Sequence, residues 1–579
     1  MVDPMRRVCL VLLAGVLLCV PASAAATEPY RPVTTEDAAK AVFLTNPEVT
    51  RWIRRYPRPT RIATAQFLRG SRVWQVSVYS GKAGEIARGR VSPSGQVVQA
   101  WVGPEVVWPL ALGNGLGGVL NKPLVWLSLC LVFLLGLANL RRPLSVRNLD
   151  LLVFLSFSVY LLYFNQGRIF ASATAAAIPF AYLIARCAWI GATNRASPSS
   201  SHAPVWLLVA ATVLLMGFRV GLNTEGSMIL DVGYAGVIGA DRLGSGISPY
   251  GAFPVKDTGR PCGPATEDGE VFDWIQANGR CESANPFGDT YGPVNYHAYL
   301  PGLALFGWSG KWDSLPAAHF TTLLFDLLAI LGLGAVGYRF GGLRLAALLM
   351  FAWAANPFTQ YASSSNTNDA IMPAFLIWGF WAAASDAGRG ALAALGAWAK
   401  LAGLVVVPLW ATYPGPPAWR RASLFALAFA ATTVLAFWVL IVGGDPVGAF
   451  REFYERTFEL QFHRASPFSL WDWGRYHARG IPDLRWLQHL LQAALVIAAV
   501  AVAFVPPRKS PLQLAALTGA LLMGFELVLT HWAALYIAWF FPFLALAVVA
   551  GHELGGVVPE RSSEAALPRR LTGARVGVR

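Results

Sequence analysis

Charge is what this 579-residue chain has least of. Asp, Glu, Lys and Arg together make up 13% of it, against roughly 25% in a soluble domain. Hydrophobic residues make up 55% and gather in long runs, which excludes an ordinary soluble protein and points to a polytopic membrane protein. No close set of His, Asp, Glu or Cys has a recognisable metal-ligand spacing, so no metal is required; a divalent cation is left only to a pairing of Asp231 with Asp241. No internal repeat stands out. The net charge of +14 does not indicate a nucleic-acid partner, because the arginines are spread over short loops between apolar spans, where the positive-inside rule expects them. Cysteine is sparse as well. Of the six, Cys9 and Cys19 lie in the N-terminal apolar segment, and Cys130 and Cys187 lie in expected spans as small apolar side chains. Cys262 and Cys281 share one polar loop, as a disulfide if that loop faces an oxidising compartment or else as two free thiols.

What is present begins with MRRVCLVLLAGVLLCVPASAAA. Residues 1–26 have the layout of a signal peptide or an uncleaved signal anchor, so the following segment is expected outside the cytoplasm. Residues 28–105 are polar enough for a small soluble domain. EDAAKAVFLTNPEVTRWIRRYP reads as helix, stopped by Pro57 and Pro59. RIATAQFLRG, SRVWQVSVYSG, EIARGRVSPSG and QVVQAWVG alternate like strands, with Trp74 and Trp101 expected in the core. This helix-then-meander pattern resembles a PepSY-type domain, on the RVWQVSV stretch, the Ser94-Gly95 turn and the closing AWVGPEV. That resemblance implies binding or inhibition rather than a fixed chemistry.

Residues 122–190 hold accessory spans: Leu124 to Leu140, Leu149 to Phe164 and Ala171 to Ala188. Val205 to Phe218 opens a larger membrane unit, 205–552, and 553–579 form a basic tail on the cytoplasmic side. With the N-terminal domain outside, Arg141, Arg142, Arg147 and the Arg195 linker fall inside, and Arg168 falls outside. Asp231 then faces the extracytoplasmic side. Arg420-Arg421, Arg508-Lys509 and the tail mark the inner side in the C-terminal half, which leaves Asp445 to Trp486 and His531 outside. Between them, Leu315 to Gly337, Leu343 to Ala355 and Ala370 to Ala384 read as spans. Ala391 to Thr412 reads as a hairpin of two half-spans, and YLPGLALFGW as re-entrant. The total is roughly 12–13 spans of about 20 residues, some shorter. The Ala/Gly/Arg-rich, Lys-poor composition suggests a GC-rich bacterium, and hence a bacterial plasma membrane.

The external loops collect polar groups that lipid would not tolerate: Asp231, Asp241 and Tyr250; Asp289, Tyr291, Asn295 and His297; Asn366, Asn368 and Asp369; Arg451, His463 and Arg464; and His531. Ionisable groups at membrane depth are functional candidates, although any single one reads as readily as a solvated loop residue. Asp231 differs in lying within about one helical turn of the preceding span. At roughly 100° per residue Tyr234 and Ala235 share its face and Asp241 does not. Lys400 sits inside the apolar GAWAKLAGL, either snorkelling or facing a site through a broken span.

The carboxylate just after a span, the following YAG and the Gly-rich SPY resemble the first external loop of GT-C glycosyltransferases, most of all glycosyltransferase family 87. TYGPVNYHAYLPG, NPFTQYASSSNTND, RTFELQFHRASPFSLW and HWAALYIAWFFP follow in compatible order, so the resemblance covers roughly Val205 to Gly551. The long, Cys-containing insert from Pro249 to Asn295 departs from it. The resemblance implies a GT-C-like membrane enzyme that uses a polyprenyl-phosphate sugar, mannose above all, with a lipid or glycan acceptor. A phosphate leaving group needs no strong general acid. One carboxylate base, Asp231, suffices, and configuration inverts. The departing phosphate needs fixed positive charge, expected from Arg464, His531, Lys400 and His463. Asp241, Tyr250, Tyr291, His297, Asn368 and Asp369 would shape the sugar and acceptor pocket. The competing readings are a transporter or flippase of lipid-linked intermediates, which would often show repeats with interrupted helices; a sensor anchored by its spans; and, among enzymes, a protein O-mannosyltransferase.

Overall fold

A computed structural model describes residues 35–107 and 119–555, apart from short stretches at 121, 166–167, 197–200, 202, 227–228, 252, 254–256, 266–270, 272, 277–278, 284–287, 311–314, 416–418, 465, 467 and 474–477. The signal segment 1–26 and nearly all of the tail 553–579 lie outside the described residues. The protein is a mostly helical, multi-pass membrane protein with a small α+β N-terminal domain.

In that domain, Thr35 caps helix Glu36–Thr45 through its side chain, and Asn46 caps helix Pro47–Ile53, each satisfying first-turn amides. An antiparallel meander follows in the order β1 (Arg61–Leu68), β2 (Val73–Ser80), β3 (Gly84–Val91), β4 (Val97–Val102). Phe43, Val76, Val78, Ile86 and Val91 are buried between helices and sheet. Trp101 is buried but outside this cluster, whereas Trp74 is half-buried, packs against the cluster and stands edge-on to Phe67 at 5.2 Å between ring centres. Trp52 packs on Phe170 at 5.7 Å, and Phe170 on Trp473 at 4.5 Å. Ala478 and Ile481 complete this seat.

Among the described residues, six helices are long and apolar enough to cross a membrane: Val146–Asn165, Ile169–Thr193, Val205–Glu225, Pro316–Ala355, Trp419–Leu440 and Arg485–Phe504. Shorter apolar helices are Pro123–Leu137, Leu401–Ala411, Pro511–Leu527 and Ala534–Val548. The difference from the expected total has a physical cause, because several runs are broken or merged. Pro316–Ala355 is two helices joined through non-helical Gly341 and Gly342, which fall in the YRFGGLR loop. Helix Asp386–Ala399 stops at Lys400, whose backbone is extended (φ −144°, ψ 132°), and the chain doubles back as Leu401–Val406 and Val407–Ala411. Lys400 is the tip of this hairpin. Helix Pro293–Phe306 stays at one end of the molecule. Tyr291 before it and Trp308 after it touch the same loop system, Tyr291 through the Tyr250 hydroxyl and Trp308 beneath Arg280.

The arginine-rich loops meet at the other end. Arg147 donates to Val549 O, Asn194 bonds Ser510, Lys509 N donates to Pro414 O, and Arg344 donates to Ser201 O. Asp386 pairs with both Arg389 and Arg421 there. Within the helical body, Arg219 and Asp326 form a buried ion pair at 2.7 Å. The other guanidinium hydrogens go to Gln360, Thr359 and the carbonyls of Trp353 and Ala354. Such pairing is the condition for keeping a charge at this depth, and it fixes the helix that leads to Asp231.

Candidate functional site

Asp231 opens helix Asp231–Gly244. Its start is docked against the loop after Pro357–Ser364: Leu230 N donates to Ser365 O at 3.1 Å. A Cβ on Gly233 would fall 2.2 Å from Asn366 O, so only glycine permits this approach. Asn366 is held in a left-handed conformation (φ 47°), and Asn223 Nδ2 donates to its Oδ1 at 2.7 Å. The Asp231 side chain opens to solvent inside a recess crowded by protein. That partial desolvation raises its carboxyl pKa above the ordinary value, opposed by the Val232 amide, Arg464 and Lys400 and assisted by Asp369. Val232 N donates to Asp231 Oδ1 at 2.9 Å, and the helix N-terminus also favours the anion.

Lys400 faces the same recess. Its Nζ lies 2.7 Å from Asp369 Oδ1, which also accepts the Trp539 indole N–H at 2.8 Å. The rings of Trp539, Tyr536 and Tyr291 stand 4.8, 5.3 and 5.6 Å from the ammonium, a cation–π surround. Tyr536 and Trp539 are stacked at 4.3 Å. Tyr291 feels the charges of Asp231, Arg464 and Asp369, and burial chiefly raises its hydroxyl pKa. Arg464 is half-buried just past helix Leu460–His463, and its charge acts on Asp231, Tyr291, Tyr536 and His531. His531 Nδ1 is 2.9 Å from Ser466 Oγ. Burial first, then Arg464 and Lys400, hold its pKa well below the ordinary value. That shift favours the neutral imidazole, whose ring can hydrogen-bond a phosphate.

Other expected site residues support this recess or lie away from it. Tyr250 is buried and donates to Tyr291 O at 2.8 Å, fixing the Tyr291 loop from behind. Asn368 is buried and donates to Asn295 Oδ1 at 2.8 Å. His297 is half-buried, its ring 5.7 Å from Trp438. His463 is exposed, with Nδ1 3.0 Å from Glu459 O within its own helical segment. Asp231 and Asp241 stand well apart on the same helix. Ten residues along one helix separate them by about 15 Å, and Asp241 lies 3.3 Å from Arg280 and 3.4 Å from Arg242. Among the described residues no group of three or more His, Cys, Asp or Glu could hold a metal ion. Cys262 and Cys281 are joined by a disulfide, which ties β5 (Asp257–Pro261) to β7 (Cys281–Ser283) of a three-stranded sheet completed by β6 (Asp273–Gln276).

Sequence reasoning did not single out Tyr536, Trp539, Ser466 or Asp472. Asp472 Oδ2 accepts the Ser466 amide at 2.8 Å, and Arg485 pairs with Asp472, which holds the segment behind His531. The one available signal was the spacing of Tyr536 and Trp539 within HWAALYIAWFFP, three apart and so on one helical face.

No family model and no curated protein matches the chain. Among solved structures, ArnT from Cupriavidus metallidurans bound to undecaprenyl phosphate is similar, with 17% identity and a TM-score of 0.38. The overlap covers 61% of this chain and 60% of that one. A likeness this loose transfers neither a site nor an activity.

Proposed function

We propose that the protein is an inverting, GT-C-like glycosyltransferase of the bacterial plasma membrane. It would move a sugar, mannose foremost, from a polyprenyl-phosphate donor to a hydroxyl of a lipid or glycan acceptor on the extracytoplasmic face. The reading rests on one observation: Asp231 opens into a recess where Arg464 and Lys400 both act on its charge. A base and two cations in one recess meet the demands of this chemistry. The Asp231 carboxylate takes the acceptor hydroxyl proton as that oxygen bonds to the anomeric carbon. The carbon–oxygen bond to phosphate breaks on the opposite face, and the phosphate leaves with the electron pair. Arg464 and Lys400 stabilise its growing negative charge, and His531 supplies a hydrogen bond. Tyr291 and Tyr536, both half-buried, offer flat surfaces for a sugar ring. The N-terminal domain, read as PepSY-like, would bind or regulate rather than catalyse.

The test is a transfer assay with purified protein, labelled polyprenyl-phosphate mannose and a panel of lipid, glycan and peptide acceptors. Glycosidic product from wild type and none from Asp231→Asn, at equal membrane abundance, is the expected result. Label that crosses vesicles without a glycosidic bond would instead mark a flippase. Full activity in Asp231→Asn would remove the base assignment.

A further inference from the structure

The stretch RWIRRYPRPTR places Arg51, Arg54, Arg55, Arg58 and Arg61 within eleven residues. Helix Pro47–Ile53 ends at Arg54, and Pro57 and Pro59 then turn the chain into β1. Arg51, Arg54 and Arg58 are exposed, and among the described residues no carboxylate lies within ion-pair distance of any of the three. Residues 35–107 carry eleven basic against five acidic side chains, so the domain cannot neutralise this run. Its location is equally specific. Trp52, inside the run, packs on Phe170 in the first turn of the membrane-crossing helix Ile169–Thr193. Arg55 lies 4.6 Å above the Trp52 ring, and its Nη1 donates to Arg479 O at 3.5 Å. The arginines thus stand where a span emerges from the bilayer, beside the cluster of Trp52, Phe170 and Trp473 that seats the domain on that span.

We propose that Arg51, Arg54, Arg55 and Arg58 form a binding surface for the phosphates of anionic phospholipids in the leaflet on the N-terminal domain's side. Guanidinium groups bind phosphate oxygens bidentately, and a basic run held against a membrane surface is drawn to anionic headgroups. The lipid would then help seat the domain beside the span. The chain carries its own control in Arg69 and Arg72, which are exposed at the β1–β2 turn. They lie at the far end of an eight-residue strand, about 26 Å away. This surface does not depend on the glycosyltransferase reading.

The full chain is reconstituted in nanodiscs of phosphatidylcholine with a minor fraction of phosphatidylglycerol. After detergent extraction and purification, the phosphatidylglycerol retained per protein is measured by quantitative lipid mass spectrometry. Wild type and R69Q/R72Q should retain it equally, R51Q/R54Q/R58Q should retain several-fold less, and salt should lower retention. Should the triple variant accumulate poorly, Arg54→Gln and Arg58→Gln singly carry the same comparison, since each removes an exposed side chain. Equal retention by the triple variant and the control overturns the proposal. So does displacement of none of the lipid by salt together with tight, run-dependent binding of a soluble anionic polysaccharide, which would make the surface a glycan reader.

Discussion

Lys400 reaches Asp369 at 2.7 Å from the tip of a hairpin buried in the helical body, and the two form an ion pair that is at most 9% exposed on either side. The hairpin break exists because the chain leaves helix at Lys400, and the ammonium is then enclosed by Asp369 and three aromatic rings. Removing one member of such a pair strands the other without compensation. Lys400→Met should therefore lower stability by about 3–5 kcal/mol. The double variant K400M/D369N should recover most of that loss, because no buried charge remains. Transfer should stay impaired in both, since neither retains the cation. Thermal unfolding in detergent, read beside the transfer assay, separates the two roles. A double variant as unstable as the single would show that the pair is not the source of the stability.

In the proposed transfer, the raised pKa of Asp231 would set the pH dependence. The base works only as the carboxylate, so the rate should fall as pH drops through a value above the ordinary aspartate range. Arg464 and Lys400 each lower that value. Arg464→Gln should consequently move the acid limb to higher pH, in addition to slowing the reaction. A kcat/KM profile from pH 4 to 9 checks this. An acid limb that moves to lower pH in Arg464→Gln would contradict the coupling.

Much of this was legible along the chain and some was not. The apolar runs, the polar N-terminal meander and the carboxylate after a span are local patterns, and they appear in the fold as helices, a four-stranded sheet and a helix beginning at Asp231. The depth of Lys400 in an apolar run leaves snorkelling and a broken span both open, and the chain does leave helix there. What failed to show is tertiary. The partner of Asp241 does not show in the sequence, because Arg280, which takes its carboxylate, lies far along an insert. His463 and Arg464 are adjacent in sequence, yet the end of helix Leu460–His463 leaves the histidine exposed and the arginine half-buried. Tyr536 and Trp539 are not singled out within HWAALYIAWFFP, because the Lys400–Asp369 pair their rings face comes from distant segments.

The Cys262–Cys281 bridge closes a 19-residue separation, and a loop of that size restrains the unfolded chain by roughly 3 kcal/mol. The bridge holds β7, whose Glu282 pairs with Arg242 at 2.7 Å on the helix that Asp231 opens. C262S/C281S should make residues 257–291 cleavable by protease under conditions where wild type resists. The membrane helices, which the bridge does not touch, should keep their unfolding midpoint. Limited proteolysis mapped by mass spectrometry, with and without reductant, is the measurement. Cleavage confined to other loops would show that the insert is held by its ion pairs alone.

Gly233 is the sharpest test of how the base is positioned. The helix that begins with Asp231 approaches the Ser363–Asn366 turn so closely that a methyl on Gly233 would meet the Asn366 carbonyl at 2.2 Å. That turn cannot yield easily, because Asn223 bonds both Ser363 O and Asn366 Oδ1, at 2.8 and 2.7 Å. The helix must shift instead, carrying Asp231 with it. A misplacement of about 1 Å costs on the order of 10²-fold in rate, and the overpacking itself costs about 1–3 kcal/mol. Gly244 closes the same helix, and its nearest neighbour to an added methyl is Leu303 Cδ2 at 3.9 Å, so Gly244→Ala should leave both rate and unfolding midpoint near wild type. Gly233→Ala should lose most of kcat while donor KM changes little. Equal kinetics for the two alanine variants would mean that the position of Asp231 does not govern the reaction.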